Sequence, residues 1–145
     1  MRDGHLIQFS PVNIANRKKI DVRSGDTIRV WMRIKEGEKT RLQAFEGLVL
    51  ARKHGSEPGA TITVRKIVGG VGVERIFPLY LPTVEKIELV RRSKSRRSKL
   101  YYIRDKAAKE VRKKMRQIRM VSRTVFEKAE DKKEEEPSGE VSARG

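Results

Sequence analysis

DTIRVWMRIK, residues 26–35, sets Ile28, Val30, Met32 and Ile34 on one side of an extended chain and Thr27, Arg29, Trp31, Arg33 and Lys35 on the other. Side chains alternate across a strand with period two, so this segment is a strand with one face to bury. KEGEK then supplies a Gly-containing turn, and TRLQAFEGLVLARK reads as a second, longer strand. Its phase slips near Ala44, Phe45 and Gly47, where a bulge or a close backbone approach is expected because glycine tolerates both. HGSEPGA is a loop of turn formers and TITVRKIV is rich in β-branched residues, so the two flanking strands make a hairpin. The glycines of GGVGVERIFPLYLP suit the positive φ of a tight connection, while Pro78 and Pro82 limit sheet pairing. VEKIELVRR, residues 84–92, is the last strand of the set. Short strands at this spacing across residues 25–90, with no helical pattern among them, predict a mainly β fold, a small barrel or sandwich.

The flanks differ. Residues 1–24 form a weakly patterned N-terminal extension with a basic knot, NRKKIDVR, and room for a short helix. After Tyr102 the period changes: Ala108, Val111, Met115, Ile118, Val121 and Val125 recur at three- or four-residue steps, with Asp105 placed as an N-cap. That spacing predicts a basic amphipathic helix over 105–126. Residues 127–145 are acidic, low in apolar residues and expected to be disordered.

Charge narrows the partners. The formal net charge is +16 over 145 residues, and because residues 127–145 carry seven acids and four bases, the remainder carries +19. Such a field attracts phosphate polymers or anionic surfaces. A membrane is the weaker partner, since no apolar run approaches the ~20 residues of a spanning helix and the N-terminus lacks a secretory pattern. A cytosolic location follows as the expectation. The chain has no cysteine and two histidines, His5 and His54, in no ligand-like spacing, so neither a thiolate nucleophile nor a metal centre is expected. GGVGV lacks the GxxxxGK[ST] pattern of a phosphate loop. Glu46 and Glu74 have no nucleophile beside them and read as ion-pair partners of nearby arginines, so the chain is expected to be no enzyme and to need no cofactor or small-molecule substrate.

The cationic density peaks in RRSKSRRSKLYYIR, residues 91–104, which holds seven Lys or Arg and no acid; the span 91–120 holds fourteen bases against two acids. A surface built for solubility mixes signs. Arg91, Arg92, Lys94, Arg96, Arg97, Lys99 and Arg104 are therefore candidates to neutralise nucleic-acid phosphates, with Tyr101 and Tyr102 as candidates to stack on a base. One tyrosine packing on the body of the fold is the plainer reading of that pair. Arg65 and Lys66, with Arg52 and Lys53 across the hairpin, suggest a second basic patch, and Trp31 is a lesser aromatic candidate. The segment after residue 91 is expected to be loose until it meets RNA.

RIKEG (33–37), FEG (45–47), TVRK (63–66), GVGVERIFPL (70–79) and RRSKLYYIR (96–104), in that order, resemble the bacterial ribosomal protein L19 family of the large subunit. The resemblance spans about residues 25–104 and departs from the family pattern at Tyr80 and Leu81. It implies a structural constituent of the ribosome with an SH3-like β-barrel over 25–90, bound to large-subunit ribosomal RNA near the small subunit. It further implies an intersubunit bridge to small-subunit ribosomal RNA and ribosomal protein L14 as a neighbour. Carried onto this chain, Arg91, Arg92, Arg96, Arg97, Lys99 and Arg104 are RNA contacts, and Arg65 and Lys66 join them. The rival from another class is a free regulatory barrel that binds protein or DNA.

Overall fold

The computed structural model describes residues 12–115 together with the backbone of residues 117–127. Six strands form one antiparallel sheet: β1 (Thr27–Glu36), β2 (Lys39–Lys53), β3 (Thr61–Val68), β4 (Val71–Pro78), β5 (Val84–Ser93) and β6 (Gln117–Glu127). Their order is β4-β3-β2-β1-β5-β6. The alternation in β1 is realised, with Ile28 and Val30 buried and Met32 packed against the same core. β1 and β2 pair without interruption from Thr27↔Leu48 to Glu36↔Lys39, around a turn where Gly37 has φ 61°. Gly69 and Gly70, both at positive φ, turn β3 into β4.

The sheet coils. Phe77 of β4 and Ile87 and Leu89 of β5 belong to one core cluster although four ladder steps separate those strands. On a flat sheet they would lie about 19 Å apart. Among the described residues no ladder pair joins β4 to β6, so the mainly β expectation is met as an open, curved sheet.

The irregularity in β2 falls three residues later than the sequence phase indicated. The β2–β3 register shifts between Val49 and Ala51, and Val49, Leu50 and Ala51 are all buried in succession. An extra residue on one strand turns a side chain to the other face. Val49 stays in the main core, while Leu50 joins a second cluster with Leu100 and Ile103. Gly47 serves the other expectation, close approach: a Cβ there would lie 2.9 Å from Val64 Cγ1 and overlap the Arg65 carbonyl.

Two flanking expectations are corrected. The described part of the N-terminal lead is no appendage, since Ile20 and Val22 are core residues. Its short helix α1 (Ile14–Lys18) is capped by Asn13, whose side-chain oxygen accepts from Asn16 N at 3.3 Å. From α1 the buried Arg17 donates to the carbonyls of Leu79 (3.0 Å) and Val84 (2.9 Å). The helix predicted over 105–126 is limited to α2 (Ala108–Lys114), and residues 117–127 return to the sheet as β6 beside β5. Ile118, Val121, Thr124 and Val125 are β-branched and suit a strand, and the edge of β5 offers the ladder hydrogen bonds. Asp105 caps no α-helix; it ends a 3₁₀ turn, Tyr101–Asp105, and Ala107 precedes α2 without a side-chain cap. The acidic end after Glu127 lies outside the described residues.

Candidate nucleic-acid interface

The basic arm leaves β5 and is fastened at once. Ser93 is buried, Gly25 at φ 96° passes so near that a Cβ would sit 3.1 Å from the Ser93 carbonyl, and the Ser24 hydroxyl donates to the Ser98 carbonyl. Farther on, Leu100 is buried and its N–H donates to the Leu50 carbonyl at 2.8 Å. Leu50, left out of the β2–β3 ladder at the bulge and facing this side together with Leu48, thus supplies both a backbone acceptor and an apolar seat. Between the anchors the Ser95 hydroxyl donates to the Arg97 carbonyl at 2.8 Å, closing a turn. The described arm is therefore tied to the body of the fold at Ser93, Ser98 and Leu100.

Fixing the backbone divides the cations into two sets. Lys94, Arg96, Arg97 and Lys99 are exposed and form no ion pair among the described residues. Arg91, on β5, is exposed as well. By contrast Arg92 is half-buried and turned inward, with Asp26 at 3.2 Å and Asp21 at 3.3 Å. Burial alone would raise the Asp21 pKa, but hydrogen bonds and charge from Arg23 and Arg92 outweigh it and hold the carboxyl below its usual range. Arg104 and Arg65 both bind Glu74, at 2.7 and 2.9 Å. The Arg104 hydrogen bond, opposed by burial and reinforced by Arg65, holds the Glu74 carboxyl below its ordinary pKa. Arg92, Arg104 and Arg65 thus have carboxylate partners within the fold, which no local reading of the basic run revealed.

The tyrosines already carry cations. Arg104 lies over Tyr101 at 4.7 Å, while Arg97 and Lys114 lie over Tyr102 at 4.9 and 5.1 Å. Tyr102 also packs against the Leu50 cluster, as the plainer reading of the pair anticipated. A base that stacked on either ring would compete with these guanidinium and ammonium groups. Lys114 was not among the sequence candidates; its signal was the basic face of the short helix, which the structure folds back against the arm.

The second patch does not assemble. Arg65 is opposite Leu48, whereas Arg52 and Lys53 are opposite Ile62 and Thr61, about 13 Å farther along the strand. Arg52 points inward, donating to the carbonyls of Ile20 (2.8 Å) and Val22 (3.0 Å), and Lys66 lies over the Phe45 ring at 4.6 Å. Glu46 is taken by Arg29 at 2.7 Å. Trp31 is half-buried. Among the described residues no group of three His, Cys, Asp or Glu is placed to hold a metal, and no helix is long and apolar enough to cross a membrane. What remains is a row of exposed cations suited to a polyanion.

Comparison with known proteins converges on one family. The family described as ribosomal protein L19 matches residues 6–116. The large ribosomal subunit protein bL19 of Campylobacter hominis is 50% identical over 110 residues, covering 75% of this chain and 92% of that protein. The same-named protein of Thermosipho melanesiensis is 59% identical over 86 residues (59% and 74% covered), and that of Thermus thermophilus 45% over 117 residues (80% and 79%).

Proposed function

The chain belongs to the ribosomal protein L19 family, a structural component of the bacterial large ribosomal subunit and not an enzyme, and from that premise we propose that its fastened basic arm binds large-subunit ribosomal RNA. The place of work is the ribosome in the cytoplasm, as for the family. The observation that carries the RNA reading is the row Lys94, Arg96, Arg97 and Lys99, exposed and with no ion pair among the described residues, on an arm anchored at Ser93 and Leu100. A pre-ordered row loses less conformational entropy on binding than a loose one and releases counterions from the phosphates it meets. Arg91 extends the row, and Lys66 offers a further cation away from it. Arg104 serves the interface by tying the arm to Glu74, which Arg65 holds in place, and Arg92 by tying β5 to Asp21 of the N-terminal lead and to Asp26, with Tyr101 and Tyr102 as cation-covered rings that meet the sugar-phosphate edge.

The finer assignment follows from the family resemblance. The curved sheet of β1–β5 is read as an SH3-like barrel, set near the subunit interface beside ribosomal protein L14 and contributing a bridge to small-subunit ribosomal RNA. The test is co-sedimentation of the full chain with ribosomal particles over a salt series, beside a variant with Arg96, Arg97 and Lys99 all changed to Ala. Stoichiometric retention on the large subunit is expected. In RNA binding by the free protein, the variant should flatten the log–log salt dependence by roughly 0.7 to 0.9 per lost contact. An unchanged slope would reduce the arm to a solvated segment.

A further inference from the structure

A cleft of about 410 Å³ lies between the sheet and α2, apart from the row of cations on the arm. Leu48 of β2 and Ile67 of β3 form one wall, and Ile103, Ala108 and Val111, from the 3₁₀ turn and α2, form the other. The volume falls within the ~300–1,000 Å³ of pockets that take small organic ligands. Ile67 is left 49% exposed by it, an isoleucine with one face uncovered beside an aliphatic surface.

The rim selects the occupant. Lys66, Lys106 and Arg112 surround the cleft together with Arg65, and no Asp or Glu is among the described residues that line it. Arg65 is held by Glu74, and Lys106 has only a loose approach to Glu110 at 3.8 Å, whereas Arg112 has no ion pair among the described residues. An apolar peptide would satisfy the walls and leave the cations repelling one another. A planar heteroaromatic base attached to a phosphate satisfies both. We propose that this cleft takes one unpaired nucleotide of the bound RNA, its base between the aliphatic walls and its phosphate on Lys106 and Arg112. This rests on the RNA reading of the chain and adds a second point of attachment beyond the arm. Thr27 is the one uncharged polar side chain in the lining, so the site accepts different bases with little discrimination. Unstacking costs a few kcal/mol in a duplex and least where the base is already unpaired, which directs the site to a loop, bulge or strand end.

The experiment observes the methyl groups of Ile67, Ile103 and Val111 by NMR in the full chain, titrated with adenosine 5′-monophosphate and, in parallel, with inorganic phosphate. The nucleotide should shift these methyls saturably and phosphate should not. Ala108→Trp, which fills the cleft from an exposed helix position, should abolish the shifts while leaving the core methyls of Ile28 and Val64 in place. Arg112→Glu leaves the cleft open and should weaken the nucleotide by about tenfold or more, the loss of a charge-assisted hydrogen bond. Shifts confined to the arm, no shifts, or the same shifts with phosphate alone would overturn the site. Failure of the RNA reading shows elsewhere, as an unchanged salt slope in the arm variant, whatever these methyls do.

Discussion

Residues 93–104 carry five Lys or Arg and are nevertheless fastened at Ser93, Ser98 and Leu100, whereas the β3–β4 hairpin carries Ile67, Val68, Val71, Val73 and Ile76 and leaves all five exposed. Composition alone would assign the opposite behaviour. The arm has one well-seated leucine and several backbone hydrogen bonds, so its charges are carried on a settled chain. The hairpin has its own ladder from Thr61↔Pro78 to Val68↔Val71, and that pairing keeps its strands together without covering their outer side chains. Order comes from where the backbone's donors and acceptors find partners, and exposure from whether anything packs on top.

The sharpest way to break the contrast is Leu100→Ala. Removal of a fully buried leucine costs about 2–5 kcal/mol, and here the loss falls on the small cluster that seats the arm. Urea unfolding should show the destabilisation, and amide exchange at Leu100 should accelerate. If protection there persists, the serine contacts suffice and the apolar seat is incidental. A smaller effect is expected from Glu74→Gln, which unties Arg104 on the arm from Arg65 on the hairpin and should cost about 1 kcal/mol or less.

The same carboxylate makes the tie pH-dependent. The folded pKa of Glu74 is depressed, so its stabilisation is complete above the unfolded value of about 4.3 and is lost as pH falls through the folded value. Carboxyl chemical shifts should place the Glu74 midpoint below about 4.3; a midpoint at or above it would mean that Arg104 is not held there in solution. The smallest effect belongs to the hairpin. Ile76→Thr at a side chain 64% exposed should change stability by no more than about 0.5 kcal/mol, and a loss above about 2 would show that this face of the hairpin is packed.

The sequence was most legible where information is local. The β1 alternation and the Gly69–Gly70 turn follow from side-chain direction and backbone freedom, and β1, β2, β3 and β5 fall where those cues put them, whereas β4 pairs along all of Val71–Pro78, where the prolines were expected to limit pairing. β6 was read as helix because Val111, Met115, Ile118, Val121 and Val125 satisfy a three- or four-residue step. What decides their state is the open edge of β5, more than 20 residues earlier in the chain. The candidate interface divided in the same way: the cationic run was visible as a run, but its sorting was not. Arg92 meets Asp21 across 71 positions, and Arg104 meets Glu74 across 30. Such pairings depend on the curvature of the open sheet, which no local window contains.

The buried Arg17 has a consequence for the order of assembly. Its acceptors, the carbonyls of Leu79 and Val84, lie 62 and 67 positions downstream. At synthesis rates of roughly 5–20 residues per second, about 3 to 13 s pass after Arg17 is made before both acceptors exist. During that interval the guanidinium, Ile20 and Val22 have no finished seat, so α1 docks late although it is synthesised first. Docking of the N-terminal lead therefore reports completion of the sheet, and its burial makes the fold a product of long-range closure rather than of growth from the N-terminus.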